Sequence, residues 1–232
     1  MEQWLDFAEG PLFTITFLIM ILGLARHFII QFYSVFISKG KQLKNVSWKK
    51  IFSDMVSWVL PVKHLIKGTV LFSVVSFIFH VAAILVSVFL IDHIVLWNAY
   101  FGIDLPSIGR ALADILTLTA IGCILILIAC RIFIKRQREM SKKSDYILLI
   151  MVLLPFLFGF FAGHPAINPF SWNTAMLIHV LSAEGLFIAI PFTKLAHIVL
   201  YFFDRLSAVH WQLKPGAGDK VAEALFGKEA KV

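Results

Sequence analysis

Five stretches of this chain are each apolar for long enough to cross a bilayer, and that single pattern excludes most folds. A hydrocarbon core about 30 Å thick takes about 20 apolar residues of helix. The runs near 11–36, 69–97, 108–134, 146–163 and 174–203 meet that length or come close to it. Inside lipid, every backbone N–H and C=O must be bonded within the segment or to a closed neighbour, so spans of this kind are helical. Charge agrees, because only 15% of the 232 residues are Asp, Glu, Lys or Arg, against about 25% in soluble domains. The expected fold is an all-α integral membrane protein, a five-transmembrane-helix bundle.

The net charge of +7 is a topology signal rather than a footprint for nucleic acid, and no nucleic-acid partner is expected. Lys39, Lys41, Lys44, Lys49, Lys50, Lys63 and Lys67 separate the first two spans, and KRQREMSKKSD separates the third and fourth. Arg205, Lys214, Lys220, Lys228 and Lys231 follow the fifth. The alternate connections carry Glu2, Asp6 and Glu9, then Asp104, then only His164. The positive-inside rule therefore puts the N-terminus outside and the C-terminus in the cytoplasm, in a multi-pass protein of the cell's inner (cytoplasmic) membrane. On this reading residues 1–210 form the transmembrane domain and 211–232 a cytoplasmic tail. The segment 47–67 mixes apolar and basic residues and is expected to lie along the inner surface as an amphipathic helix. The acidic N-terminal MEQWLDFAEGPL lacks a basic leader region, so no removable signal peptide is expected.

The chemistry-bearing residues are histidines. His179 and His197 stand near the two ends of the fifth span, 18 residues apart. On one unbroken helix that spacing is five turns and roughly 27 Å, which puts both rings on one face. Ionisable groups inside a membrane are costly and usually functional, and imidazole is a common axial ligand of haem iron. His80 and His93 occupy the second span, which runs antiparallel to the fifth under this topology. Depth pairs His80 with His197 and His93 with His179, each pair suited to a six-coordinate haem with no open site for oxygen. The 13 residues from His80 to His93 turn about 220° on a straight helix, so a shared face requires a kink. The plain alternative for each histidine is a polar side chain satisfied between helices.

Arg26 and Lys194 are candidate partners for haem propionates, with His27 a reserve ligand. His164, in the loop GHPAINPF, is a candidate hydrogen-bond donor and proton partner for a quinone, with Asp92 or Glu184 passing protons. Asp114, like Glu184, is an intramembrane carboxyl suspect on the same ground. His64 and His210 are expected to be interfacial. Cys123 and Cys130 lie seven residues apart in one apolar run, where neither a disulfide nor an iron–sulfur cluster is expected. There is no CxxCH motif for covalent haem.

The fifth span, with H-x17-H and PFTKLAH at Pro191–His197, resembles the gamma subunit of respiratory nitrate reductase, a membrane dihaem cytochrome b. Phe79-His80-Val81 and the five-span, N-out topology resemble it too. Shorter members serve transmembrane redox complexes of sulphate-reducing prokaryotes, and the similarity covers roughly residues 10–205. It implies two non-covalent b haems held from the second and fifth spans, and a quinone (menaquinone in this class) near the outer haem. It also implies partners: a cytoplasmic iron–sulfur subunit related to heterodisulfide reductase, a periplasmic multihaem cytochrome c and other membrane subunits. The family's second-span histidines are ten residues apart, whereas ten after His80 stands Leu90, so either His93 takes that place in a shifted register or one haem is bound differently or missing. The expected function is electron transfer between the quinone pool and partner subunits of an oxidoreductase complex. The rivals are a proton-relay transporter and a cofactor-free membrane anchor, and haem absorbance separates all three.

Overall fold

The computed structural model describes residues 1–37, 48–59, 70–203 and 217–227. Among them no strand occurs, and five helices are long and apolar enough to cross a membrane. In chain order the helices are α1 (Glu2–Phe32), α2 (Trp48–Val59), α3 (Val70–Phe89), α4 (Ile91–Phe101) and α5 (Arg110–Phe133). They continue as α6 (Lys135–Met140), α7 (Lys143–Gly163), α8 (Trp172–Phe192), α9 (Lys194–Phe203) and α10 (Ala217–Phe226). The spans are α1, α3, α5, α7 and α8. Lys39, Lys41, Lys44, Lys63, His64, Lys67, Arg205, His210, Lys214, Lys228 and Lys231 lie outside the described residues. Of the segment 47–67, the described part is α2.

Three boundaries differ from the sequence expectation, each for a local reason. The first helix begins at Glu2 rather than near Pro11, passing through a π turn at Ala8–Leu12. Proline has no N–H to give the α ladder, and a wider turn accommodates it. The second span does not continue to Trp97: Leu90 is extended, with φ −64° and ψ 134°, and α4 starts afresh beyond it. That break strips the last carbonyls of α3 of their helical donors. Ile108 N–H supplies Phe89 O at 3.0 Å, and His93 Nδ1 supplies Ser87 O at 3.0 Å.

The fifth span breaks at Thr193, where φ is −129° and ψ −175°. Pro191 already removes one ladder bond there. The Thr193 hydroxyl donates to Ala189 O at 2.8 Å and accepts from Leu195 N–H at 3.3 Å, ending one helix and starting the next. His179 and His197 consequently do not stand on one unbroken helix. The five-turn alignment expected from their spacing is interrupted four residues short of His197.

The described residues fall into two compact units, one drawn from 1–16 and 70–186, the other from 17–37, 48–59, 187–203 and 217–227. In the first, α5 is the central helix, packed by α3 and α7. Its inward face carries Ala113, Thr117, Ala120, Cys123, Ile124, Leu127 and Cys130, one face at helical spacing with small residues at its N-terminal half. Small side chains let membrane helices approach closely enough for backbone and methyl contact, which replaces the absent hydrophobic drive in lipid. Val75 of α3 closes on Cys123 and Leu127, with Phe72 and Phe79 beside them. At the far end of α5, Arg131 lies over the Phe72 ring at 5.3 Å and donates to Ser141 Oγ at 2.8 Å. Tyr146 O–H on α7 donates to Arg131 O at 2.9 Å, and Tyr100 O–H on α4 to Glu9 O at 2.6 Å.

The second unit is held mostly by aromatic rings. Phe17 meets Phe187 edge-on at 5.8 Å, Phe28 meets Phe203 at 5.4 Å, and Phe36 stacks on Trp48 at 6.3 Å. Gly23 lies so near Pro191 that any Cβ there would overlap the pyrrolidine ring. His27 Nε2–H donates to Pro191 O at 2.7 Å, so an imidazole serves the carbonyl next to the Thr193 break just as His93 serves the break at Leu90.

Candidate functional site

The first unit brings His93 of α4 and His179 of α8 together. Their rings stand 6.1 Å apart between centroids with planes only 4° from parallel. Each is oriented by a main-chain bond through Nδ1: His93 to Ser87 O at 3.0 Å and Val86 O at 3.3 Å, His179 to Pro155 O at 2.7 Å. A carbonyl only accepts, so Nδ1 carries the proton in both rings and the lone pair sits on Nε2. That is the tautomer a metal ligand needs, fixed by a bond behind the ring. Gly159 completes the seat, because a Cβ at that position would lie 2.8 Å from His179 Nδ1.

The spacing suits a shared metal. An imidazole–metal bond is about 2.0–2.1 Å, so two axial nitrogens stand about 4 Å apart and the ring centres about 6 Å apart. Among the described residues no three His, Cys, Asp or Glu side chains converge on a common point. Two imidazoles alone suit a metal whose other ligands arrive with it, as porphyrin nitrogens do for haem iron.

His80 and His197 carry the same signature. His80 Nδ1–H donates to Ser76 O at 2.7 Å and His197 Nδ1–H to Lys194 O at 2.8 Å, leaving the lone pair on Nε2 in each. His80 belongs to the first unit and His197 to the second. His27 is the opposite tautomer, with Nε2–H given to Pro191 O. Arg26 and Lys194 are both exposed.

His164 behaves differently from all of these. Nδ1–H donates to Phe160 O at 2.9 Å, Nε2 meets Asp114 Oδ2 at 3.3 Å, and the ring stacks on Phe160 at 4.1 Å. A hydrogen bond between His164 Nε2 and the Asp114 carboxyl requires a proton on one of the two groups. Arg110 donates to Gly163 O at 2.9 Å beside it. The carboxyl that meets His164 is thus Asp114, from 50 residues away on α5. Asp92 is exposed on α4, and both oxygens of Glu184 are buried without a hydrogen-bond partner. Asp114 was legible only as an intramembrane carboxyl; its partner depends on how α5 and α7 are packed.

No family model matches the chain, and no solved structure matches it. A curated protein of Nitratidesulfovibrio vulgaris (strain Hildenborough), described by no more than the word "Protein", is 36% identical over 134 residues. That match spans 58% of this chain and 58% of the relative's own length. It makes the two chains similar over a little more than half of each and says nothing of activity.

Proposed function

We propose that this chain is a membrane cytochrome b subunit that binds two b haems and passes electrons between a quinone, menaquinone in this class, and partner redox subunits. The observation that carries the reading is the His93–His179 pair: parallel rings at 6.1 Å, each fixed by its Nδ1–H to a backbone carbonyl. His80 and His197, each with its proton on Nδ1, are the further proposed axial ligands. Bound between such imidazoles, haem iron supplies a one-electron couple with no open coordination site. The chain's own part is to hold both rings in register, exclude water with α3, α5 and α7, and handle protons at His164–Asp114. Arg26 and Lys194 are the proposed contacts of propionates, and Asp92 is a further proton carrier at the outer edge.

The N-terminus is proposed to face outside and the C-terminus the cytoplasm of an inner (cytoplasmic) membrane. A cytoplasmic iron–sulfur subunit related to heterodisulfide reductase then docks on the basic face, with a periplasmic multihaem cytochrome c opposite and other membrane subunits alongside. The proton-relay transporter is the rival that the unpartnered Glu184 favours.

The deciding measurement is a pyridine haemochrome assay with a reduced-minus-oxidised spectrum on the purified chain. Two b haems are expected per chain. His93→Ala and His179→Ala are expected to remove the same spectral component, and His197→Ala the other. A chain without haem overturns the reading and favours the transporter. Different components lost from His93→Ala and His179→Ala break the pair.

A further inference from the structure

Glu184 is the group that the haem-binding reading leaves unexplained. It stands on α8, 2% exposed, with neither carboxyl oxygen hydrogen-bonded. An ionised carboxylate so placed loses its hydration and gains nothing in return, so it must hold a proton or face a positive charge. His179 precedes it by five residues on the same helix, about 7.5 Å along the axis and about 140° round it, so any influence between the two runs through the low-dielectric interior rather than by contact.

We propose that Glu184 is an intramembrane proton-binding site linked to the charge held between His93 and His179. This rests on the haem reading given above. A ferric b haem carries one net positive charge at its core, and the ferrous form carries none. Glu184 is ionised while that charge balances it and binds a proton once the charge is gone. The step balances: one electron from the quinol reduces Fe(III) to Fe(II), and one proton converts the Glu184 carboxylate to the carboxylic acid. Total charge inside the low-dielectric interior is unchanged, which removes the main electrostatic barrier to putting an electron there. Glu184 suits the role because it has no hydrogen bond to break when it gains or loses the proton.

The test is infrared spectroscopy of the full chain in lipid nanodiscs, with an indicator-dye measurement of proton uptake. In chain purified from haem-deficient cells, the protonated-carboxyl carbonyl band of Glu184 is expected at neutral pH and is absent from Glu184→Gln. In haem-loaded chain, the same band is expected to grow on reduction, with proton uptake that falls to baseline in Glu184→Gln. Glu184→Asp is expected to keep both, with the band displaced, which separates loss of the acid from loss of the fold. Retention of band and uptake in Glu184→Gln, with haem content intact, overturns the proposal and spares the haem reading. A wild-type chain that binds no haem overturns the haem reading and the linkage together. The band in haem-free chain then decides alone whether Glu184 is a proton site.

Discussion

Five imidazoles among the described residues give their Nδ1 proton to a main-chain carbonyl, and at His93 and His179 that bond leaves the lone pair on Nε2. His27 and His164 differ from that pair at Nε2, which meets Pro191 O in the first and the Asp114 carboxyl in the second. The distinction invites substitutions beside the histidines rather than at them. Gly159→Ala places a methyl carbon 2.8 Å from His179 Nδ1. Overpacking of this kind costs about 1–3 kcal/mol, more than the roughly 0.8–1.0 kcal/mol that alanine returns in helix propensity. The ring must swing off Pro155 O, so the haem component assigned to His93–His179 is expected to shift or vanish from the spectrum while circular dichroism stays helical. Asp114→Asn keeps the shape of the pair with His164 but removes its titratable carboxyl. Quinol-driven haem reduction in stopped flow is expected to slow about 10²–10⁴-fold, the usual worth of a positioned acid or base, with haem content unchanged. Asp92→Asn, at an exposed position, is expected to slow it less.

At the scale of elements, hydropathy reveals where helices run and conceals where they stop. Five apolar runs were legible because backbone bonding in lipid permits little else over such lengths. The break near Leu90 was legible only as the kink that a shared face for His80 and His93 requires; its position, and the break at Thr193, were not, since neither residue is a breaker by type. Each break depends on a donor from elsewhere in the fold, Ile108 N–H in one case and His27 Nε2–H in the other. Pro155 shows the converse: it sits inside α7 without ending it. The close approach of α1 and the end of α8 gives a direct test. Gly23→Ala overlaps Pro191, and a loss of about 1–3 kcal/mol is expected, seen as a lower thermal midpoint in detergent. An unchanged midpoint would mean that α1 moves aside without cost.

For the whole molecule, the membrane character was readable from composition and span length alone. The pairing of His93 with His179 was readable from matched depth, because antiparallel spans bring equal depths together. What depth could not supply was the route by which His93 turns toward His179, which required the break at Leu90. Topology has its own experiment. With Cys123 and Cys130 replaced by alanine, Glu2→Cys is expected to react with a membrane-impermeant maleimide in intact spheroplasts, and Lys220→Cys only after lysis. The reverse pattern would invert the proposed orientation and move the docking face of the iron–sulfur partner to the other side.

The interruption at Leu90 also bears on how relatives of this chain are to be recognised. The count from His80 to His93 is 13. An insertion of three residues into an unbroken helix would rotate everything beyond it. Where the helix is already interrupted and its loose carbonyls are served by His93 and Ile108, added residues are absorbed locally. Residues gained or lost at this point are therefore expected to leave His93 beside His179. A sequence search that insists on fixed histidine spacing is expected to pass over chains in which such a break absorbs the difference.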